Sequence, residues 1–300
     1  MQAITFTTYG GPEVLKLSEV EIPQPGPGQV RVAVRAAGVN PIDWKIRTGS
    51  IRDVFPVTMP HTPGLELAGV IDAAGPGAEL AVGDEVFGWA DTGAYAEYAL
   101  ATNLARKPAA LTWADAASLP IAGAAAIRDL ELLRVRAGET LLIHGASGTT
   151  GRFAAQAAVA KGVTVIGTAG ARHHDDLRSL GVVPVLYGEG WPDRVRAVAP
   201  GAVDAVYDTA GHGMLPASIE LRGTTDRIIT IADVAAFELG IPYSTGGEQT
   251  GAALAEVARW VTDRGVRIAH REGYPLAEAA AAHIESEGGH PGGKLTLVLS

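Results

Sequence analysis

The chain has 300 residues, 47% of them apolar and 19% charged, with a formal net charge of −9 and no cysteine. It is long enough for one large domain or two modest ones; its acidic balance argues against a nucleic-acid backbone or an anionic membrane as main partner, and the missing thiols exclude disulfides, thiol chemistry and cysteine-rich zinc sites. The opening MQAITFTTYGG lacks the basic flank and apolar core of a signal peptide, and no apolar run is long enough for a membrane span, so a soluble cytoplasmic protein is expected.

In chain order, residues 1 to 118 read as β-rich. Strands are expected at 1–7, at 14–20 as an edge, and at 30–34, where Val30, Val32 and Val34 alternate with Arg31, Ala33 and Arg35. Further short strands follow at 67–73, 85–89 and 95–99, separated by Gly75-Pro76-Gly77 and Val82-Gly83-Asp84. Close spacing of short strands suggests a small barrel-like domain. From 119 the texture alternates. Strands are expected at 141–143, 164–169, 184–187, 203–209 and 227–231, with helices at 153–160, 174–180 and 193–198 between them. Such alternation implies a parallel, doubly wound sheet. Residues 233–247 read as an irregular, mobile loop, 252–262 as an amphipathic helix, 266–269 as a strand, 276–286 as a helix and 294–299 as a last strand.

The run 139–161, ETLLIHGASGTTGRFAAQAAVAK, is strand, Gly-rich turn, helix. Backbone N–H groups at a helix N-terminus, aided by the dipole, favour a phosphate. Against G-x-G-x-x-G the match is partial, with Ala146, Gly148 and Gly151 in the three glycine positions. No Lys-Ser/Thr follows, as a P-loop requires, and Thr149 stands where a G-x-S-x-G elbow needs glycine. Ser147 is therefore a turn or phosphate-contacting hydroxyl, beside Gly148, Thr149 and Thr150. The next strand ends Thr168-Ala169-Gly170 with no acid for a ribose 2′-OH, and Arg172, His173 and His174 follow. That pattern favours a 2′-phosphate, hence NADPH, unless Asp175 and Asp176 point inward to oppose it. Thr209 and Ala210, and Ile231 and Ala232, close the fourth and fifth strands, where a doubly wound sheet holds its ligand.

Several motifs then fall in one order: AGVNPIDWKIRTG, PGLELAGVI, VGDEVFG, GAYAEYA, LPIAGAAA, HGASGTTG and GHPGGKLTL. The set resembles the zinc-free quinone oxidoreductase branch of the medium-chain dehydrogenase/reductase superfamily. That resemblance implies an α/β architecture: a Rossmann domain at 119–264 and a GroES-like catalytic domain formed by 1–118 with 265–300. It implies a homodimer, NADPH, and a small-molecule substrate, a quinone or an α,β-unsaturated carbonyl. Zinc-dependent relatives place Cys at Asn40, His at Leu65 and a third ligand at Ile121, and leucine and isoleucine cannot ligate zinc. The eight histidines are scattered, so no metal is expected. Tyr187 matches a phosphate-contacting position. Asn40 is the expected donor to a developing oxyanion, with Asp43 orienting Lys45 or the loop, and Lys45 donating a hydrogen bond or a proton. Relatives carry Tyr where Lys45 stands and near Ile51, and Thr where Ala125 stands; this chain has none of these. An enoyl reductase or a cyclase with no net redox step on the same fold, and an NADPH-holding sensor or structural protein, are the alternatives.

Overall fold

The structure is a computed structural model that describes residues 1–300 except Glu248, Glu272, His290, Pro291 and Ser300. One of the scattered histidines, His290, and part of the GHPGGKLTL motif thus lie outside the described residues. The chain divides into two units, Met1–Ile121 with Gln249–Thr262 and Ala269–Ser300, and Ala122–Glu248 with Asp263–Ile268.

In the first unit β1 (Gln2–Thr5) and β2 (Lys16–Glu19) form an antiparallel ribbon. The valine alternation becomes β3 (Val30–Val39), with Val30, Val32 and Val34 buried. It runs on through Ala36 and Ala37, both fully buried. A short helix follows, α1 (Pro41–Thr48), which the sequence reading did not anticipate. Its start carries the right chemistry: Asn40 at the N-cap, Pro41 in the first turn, and Gly49 in the left-handed region (φ 75°) after its end. Strands β4 (Glu66–Ala74), β5 (Glu85–Trp89), β6 (Tyr98–Ala101) and β7 (Leu104–Arg106) come next, then α2 (Trp113–Ala117). The strand expected at 95–99 begins three residues later. Register shifts between Arg31 and Val32 and between Val34 and Ala36 break the β3–β4 ladder, and such bulges bend a sheet.

After α3 (Pro120–Leu133) the second unit alternates as expected. The order is β8 (Thr140–His144), α4 (Thr149–Ala160), β9 (Thr164–Ala169), α5 (His174–Ser179), β10 (Val183–Leu186), α6 (Trp191–Val198), β11 (Ala205–Asp208), α7 (Leu215–Arg222), β12 (Ile228–Thr230) and α8 (Ala236–Leu239). The sheet runs β10-β9-β8-β11-β12, all parallel. Strand order therefore reverses between β8 and β11, the place where open α/β sheets bind ligands. Residues 233–247 are more structured than expected. They hold α8, and Ser244 donates to Asp129, which is fully buried and also accepts from Tyr207 (2.7 Å) and Arg128 (2.9 Å).

The last segment carries α9 (Gly251–Thr262), β13 (Tyr274–Pro275), α10 (Ala279–Glu287) and β14 (Leu295–Val298). Its strands complete the first unit's sheet, β13-β14-β3-β4-β5-β7, with β6 also paired to β3. The sequence division keeps 251–262 with the Rossmann segment. Here α9 groups with the first unit, because the fully buried Leu254 lies where a Cβ on Gly88 would come within 2.9 Å of it. The strand expected at 266–269 does not form: Gln156 takes both backbone groups of Arg267, accepting its N–H (2.9 Å) and donating to its carbonyl (2.8 Å).

Candidate functional site

In the second unit the site is built by the turn after β8. Gly145 has φ 75°, and a Cβ there would come within 2.9 Å of Thr209 Oγ1. A Cβ on Gly151 would lie 2.4 Å from the Gly145 carbonyl oxygen. Helix α4 thus starts hard against the turn. Its N-cap, Gly148, offers no side chain, and the first N–H bonded is that of Arg152, to Gly148 O (2.8 Å). Among the described residues the N–H groups of Thr149, Thr150 and Gly151 have no acceptor. The half-buried hydroxyls of Ser147, Thr149 and Thr150 stand beside them. A twelve-residue helix with three unanswered N–H groups and no blocking Cβ fits the diphosphate of a dinucleotide.

The strand-end residues sort into two kinds. Thr168 is buried and structural: its hydroxyl accepts the Gly145 N–H (3.3 Å) and meets His144 Nδ1 (3.2 Å). Thr209 donates to the His144 carbonyl (2.7 Å). The N–H of Ala210 goes to Asp208 Oδ1 (3.0 Å), that of Ile231 to Asp208 O (3.0 Å) and that of Ala232 to Thr230 Oγ1 (3.0 Å). What these segments offer a ligand is carbonyl oxygen, not N–H. Beyond β9 the surroundings are cationic. Arg172 is exposed and its Nε donates to His173 Nε2 (3.0 Å). A Cβ on Gly170 would lie 3.6 Å from the Tyr187 ring and 4.0 Å from the His173 ring, so His173 and Tyr187 flank the end of β9 at Ala169 and Gly170. Neither nearby carboxylate is uncompensated. Asp175 pairs with Arg178 (2.6 Å) and Asp176 with the buried Arg152 (3.0 Å), whose hydrogen bonds hold the Asp176 carboxyl below its usual range.

In the first unit the predicted catalytic residues belong to a buried polar cluster. The Asn40 N–H donates to Asp43 Oδ2 (2.7 Å) and the Asp43 N–H returns to Asn40 O (3.0 Å), closing the first turn of α1. Asn40 Nδ2 donates to Glu66 Oε1 (2.8 Å), while the Lys294 ammonium donates to both Asn40 Oδ1 and Glu66 Oε1. The Ile121 N–H completes Glu66 at Oε2 (2.8 Å). Space for this carboxylate depends on Gly38, where a Cβ would lie 2.2 Å from Glu66 Oε1. Asp43 does not orient Lys45: its Oδ2 accepts from Tyr95 (3.2 Å), and the Lys45 ammonium sits 5.7 Å from the Trp44 ring centroid. Burial pushes the Asp43 carboxyl up to about 7. Glu66, Lys294, Tyr95 and His283, which meets the Tyr95 hydroxyl at 3.4 Å, were not singled out by the sequence reading. PGLELAG and GGKLTL contain the first two, but 228 residues separate them. Among the described residues no three His, Asp or Glu converge as a metal-ligand set.

The alcohol dehydrogenase GroES-like domain family matches residues 26–109, and the zinc-binding dehydrogenase family matches 169–297. A quinone oxidoreductase of Sus scrofa is 32% identical over 100% of this chain and 98% of its own. The structure of the quinone oxidoreductase from Coxiella burnetii superposes with a TM-score of 0.91 at 30% identity, covering 100% of this chain and 99% of that one. A mycobacterial protein solved in complex with NADPH superposes with a TM-score of 0.85 at 29% identity over the whole of both chains. The chain belongs to the quinone oxidoreductase branch of the medium-chain dehydrogenase/reductase superfamily.

Proposed function

We propose that this protein reduces a quinone or an α,β-unsaturated carbonyl with NADPH and without zinc, as a cytoplasmic homodimer. One observation carries the reading: the N–H groups of Thr149, Thr150 and Gly151 have no acceptor among the described residues, and β9 beyond them leads to Arg172 and His173, with Tyr187 from the end of β10 beside them, not to an acid. A guanidinium and an imidazole suit a 2′-phosphate, where a carboxylate would repel it. The carbonyls of Ala210, Ile231 and Ala232 suit the N–H donors of a carboxamide.

When bound, NADPH supplies the hydride. The protein's own part is to hold the acceptor in a water-poor site and meet the oxyanion charge. Asn40 gives one amide N–H to Glu66 and keeps the other for a substrate oxygen. Independence from zinc is supported by the cation already beside Asn40 and Glu66, which is the Lys294 ammonium. The test is steady-state oxidation of NADPH and NADH with quinone and enone acceptors, in the presence of a metal chelator. Full activity with the chelator is expected, with NADPH preferred. Arg172→Gln should raise the KM for NADPH about 10- to 100-fold, as loss of a charge-assisted phosphate contact implies, and leave that for NADH unchanged. Better use of NADH by the wild type, or loss of turnover with the chelator, would sink this reading.

A further inference from the structure

Within the second unit, helix α5 begins with two carboxylates that the fold treats differently. Asp175 has a side chain 99% exposed and pairs with Arg178, one turn on in the same helix and itself 58% exposed. Asp176 is answered from α4 instead. Its carboxylate takes two hydrogen bonds from Arg152, one of them 3.0 Å long, and the arginine side chain is only 9% exposed. Arg152 stands in the first turn of α4, directly after the three N–H groups that have no acceptor. The ion pair thus joins the diphosphate turn to the helix that follows Arg172 and His173.

Packing does not require this arrangement. Helix α4 is already held by Phe153, Ala154, Ala155, Ala157 and Ala158, all fully buried. A guanidinium set beside them loses hydration, and the Arg152 Nε is buried with no partner among the described residues. What the ion pair changes is charge. The Arg152 hydrogen bonds are the main influence holding the Asp176 carboxyl below its usual range, and the His173 charge lowers it further. Asp176 therefore stands in the field of the ring that flanks the end of β9. A carboxylate left unpaired there would repel a 2′-phosphate and have little effect on a 2′-hydroxyl.

We propose that Arg152 is a specificity-determining residue: it cancels the charge of Asp176 beside Arg172, His173 and Tyr187, and so makes the cradle select NADPH over NADH. This role rests on the reading above of NADPH as cofactor. Arg152 acts through Asp176, not by touching the phosphate. Arg172 supplies an attraction, whereas Arg152 removes a repulsion. The two contributions are separable. Loss of Arg172 weakens NADPH whatever stands at position 176, while loss of Arg152 matters only as long as that position carries a charge.

Fluorescence titrations of the full chain with NADPH and with NADH, in the absence of any acceptor, test this. The wild type should bind NADPH more tightly than NADH. Arg152→Met should weaken NADPH about 10-fold, as an uncompensated like charge nearby implies, and move NADH by less than about twofold. Asp176→Asn, at a half-exposed side chain, should tighten NADPH about threefold, because the Arg152 charge is then uncompensated. The double variant carries neither charge and should return NADPH to within about twofold of the wild type. Added salt should narrow the gap between Arg152→Met and the wild type. If Arg152→Met does not fold, Asp176→Asn decides alone. Parallel weakening of both cofactors by Arg152→Met would make the ion pair a structural tie between α4 and α5 and overturn the role. A double variant as weak as Arg152→Met would overturn it too, by making Arg152 a direct phosphate contact, as would an NADPH affinity that Asp176→Asn leaves unmoved. A wild type that binds NADH as tightly as NADPH removes the NADPH reading itself. An NADPH preference that none of these variants changes removes only the part given to Arg152.

Discussion

Lys294 holds its ammonium, at 3% exposure, against the fully buried carboxylate of Glu66, with Asn40 bridging both. At such burial each charge depends on the other, because the interior does not replace the lost hydration of an ion left alone. Lys294→Met should therefore cost about 3–5 kcal/mol of unfolding free energy, read by denaturant titration, and Lys294→Met combined with Glu66→Gln should recover much of it. A single variant with unchanged stability would show that the ammonium is not needed to neutralise Glu66. Sequence alone reached half of this cluster. Asn40 and Asp43 sit three apart in N-P-x-D, a spacing that a helix start explains locally. Glu66 and Lys294 look like ordinary surface residues in the sequence, since both are charged and neither spacing nor period connects them. Only the pairing of β14 with β3, and of β3 with β4, brings the ends of those segments to one place.

Gly148 and Gly151 are three residues apart in one motif, yet their surroundings predict different failures. A Cβ on Gly151 would meet backbone at 2.4 Å and Thr209 Oγ1 at 2.9 Å, so helix α4 would have to move from the turn. A Cβ on Gly148 finds only the Gly145 oxygen at 3.3 Å and otherwise open space on the ligand side. Gly151→Ala should lower stability by about 1–3 kcal/mol, as overpacking does. Gly148→Ala should leave the melting temperature near that of the wild type while weakening NADPH binding in a calorimetric titration. Equal effects of both on stability would contradict this division. The alternating elements of the second unit were legible because each strand there is a short buried run bounded by turn residues. Where packing or side chains decide, the sequence misled. Helix α1 sits between two strands and is only eight residues long, so its cap chemistry was outweighed by the β-rich context. Residues 266–269 have β-branched and apolar character, but the amide of Gln156 occupies the backbone that a neighbouring strand would need.

Taken over the whole chain, three groups with large shifts set how stability responds to acid. His144, in the second unit, is pushed from 6.5 to about 3 by burial, and accordingly lies between Thr168 and Ser218 as a neutral ring. His283, in the first unit, is pushed from 6.5 to about 3 by burial and by the Arg47 charge. Asp43 moves the other way, from 3.8 to about 7. Below pH 6.5 the unfolded chain takes up a proton at each histidine while the folded chain does not, so protonation favours unfolding and stability falls as pH falls. Asp43 opposes this: between 3.8 and about 7 the folded chain holds a proton that the unfolded one has lost, and that share of stability fades as pH rises. Two histidines against one carboxyl leave one net proton, or about 1.4 kcal/mol lost per pH unit of acidification below 6.5. Burial also lowers His61 and His270, which steepens the loss, and raises Asp208, which blunts it. The melting temperature should therefore drop between about pH 6.5 and about pH 4.5, by roughly 2–4 °C for each kcal/mol. Asp43→Asn should make the drop steeper by about one proton, since the opposing carboxyl is gone, and His283→Gln should make it shallower by the same amount. Calorimetric scans in a pH series measure all three slopes, and a wild-type midpoint that stays level across that window would mean that the buried imidazoles gain protons without unfolding the chain.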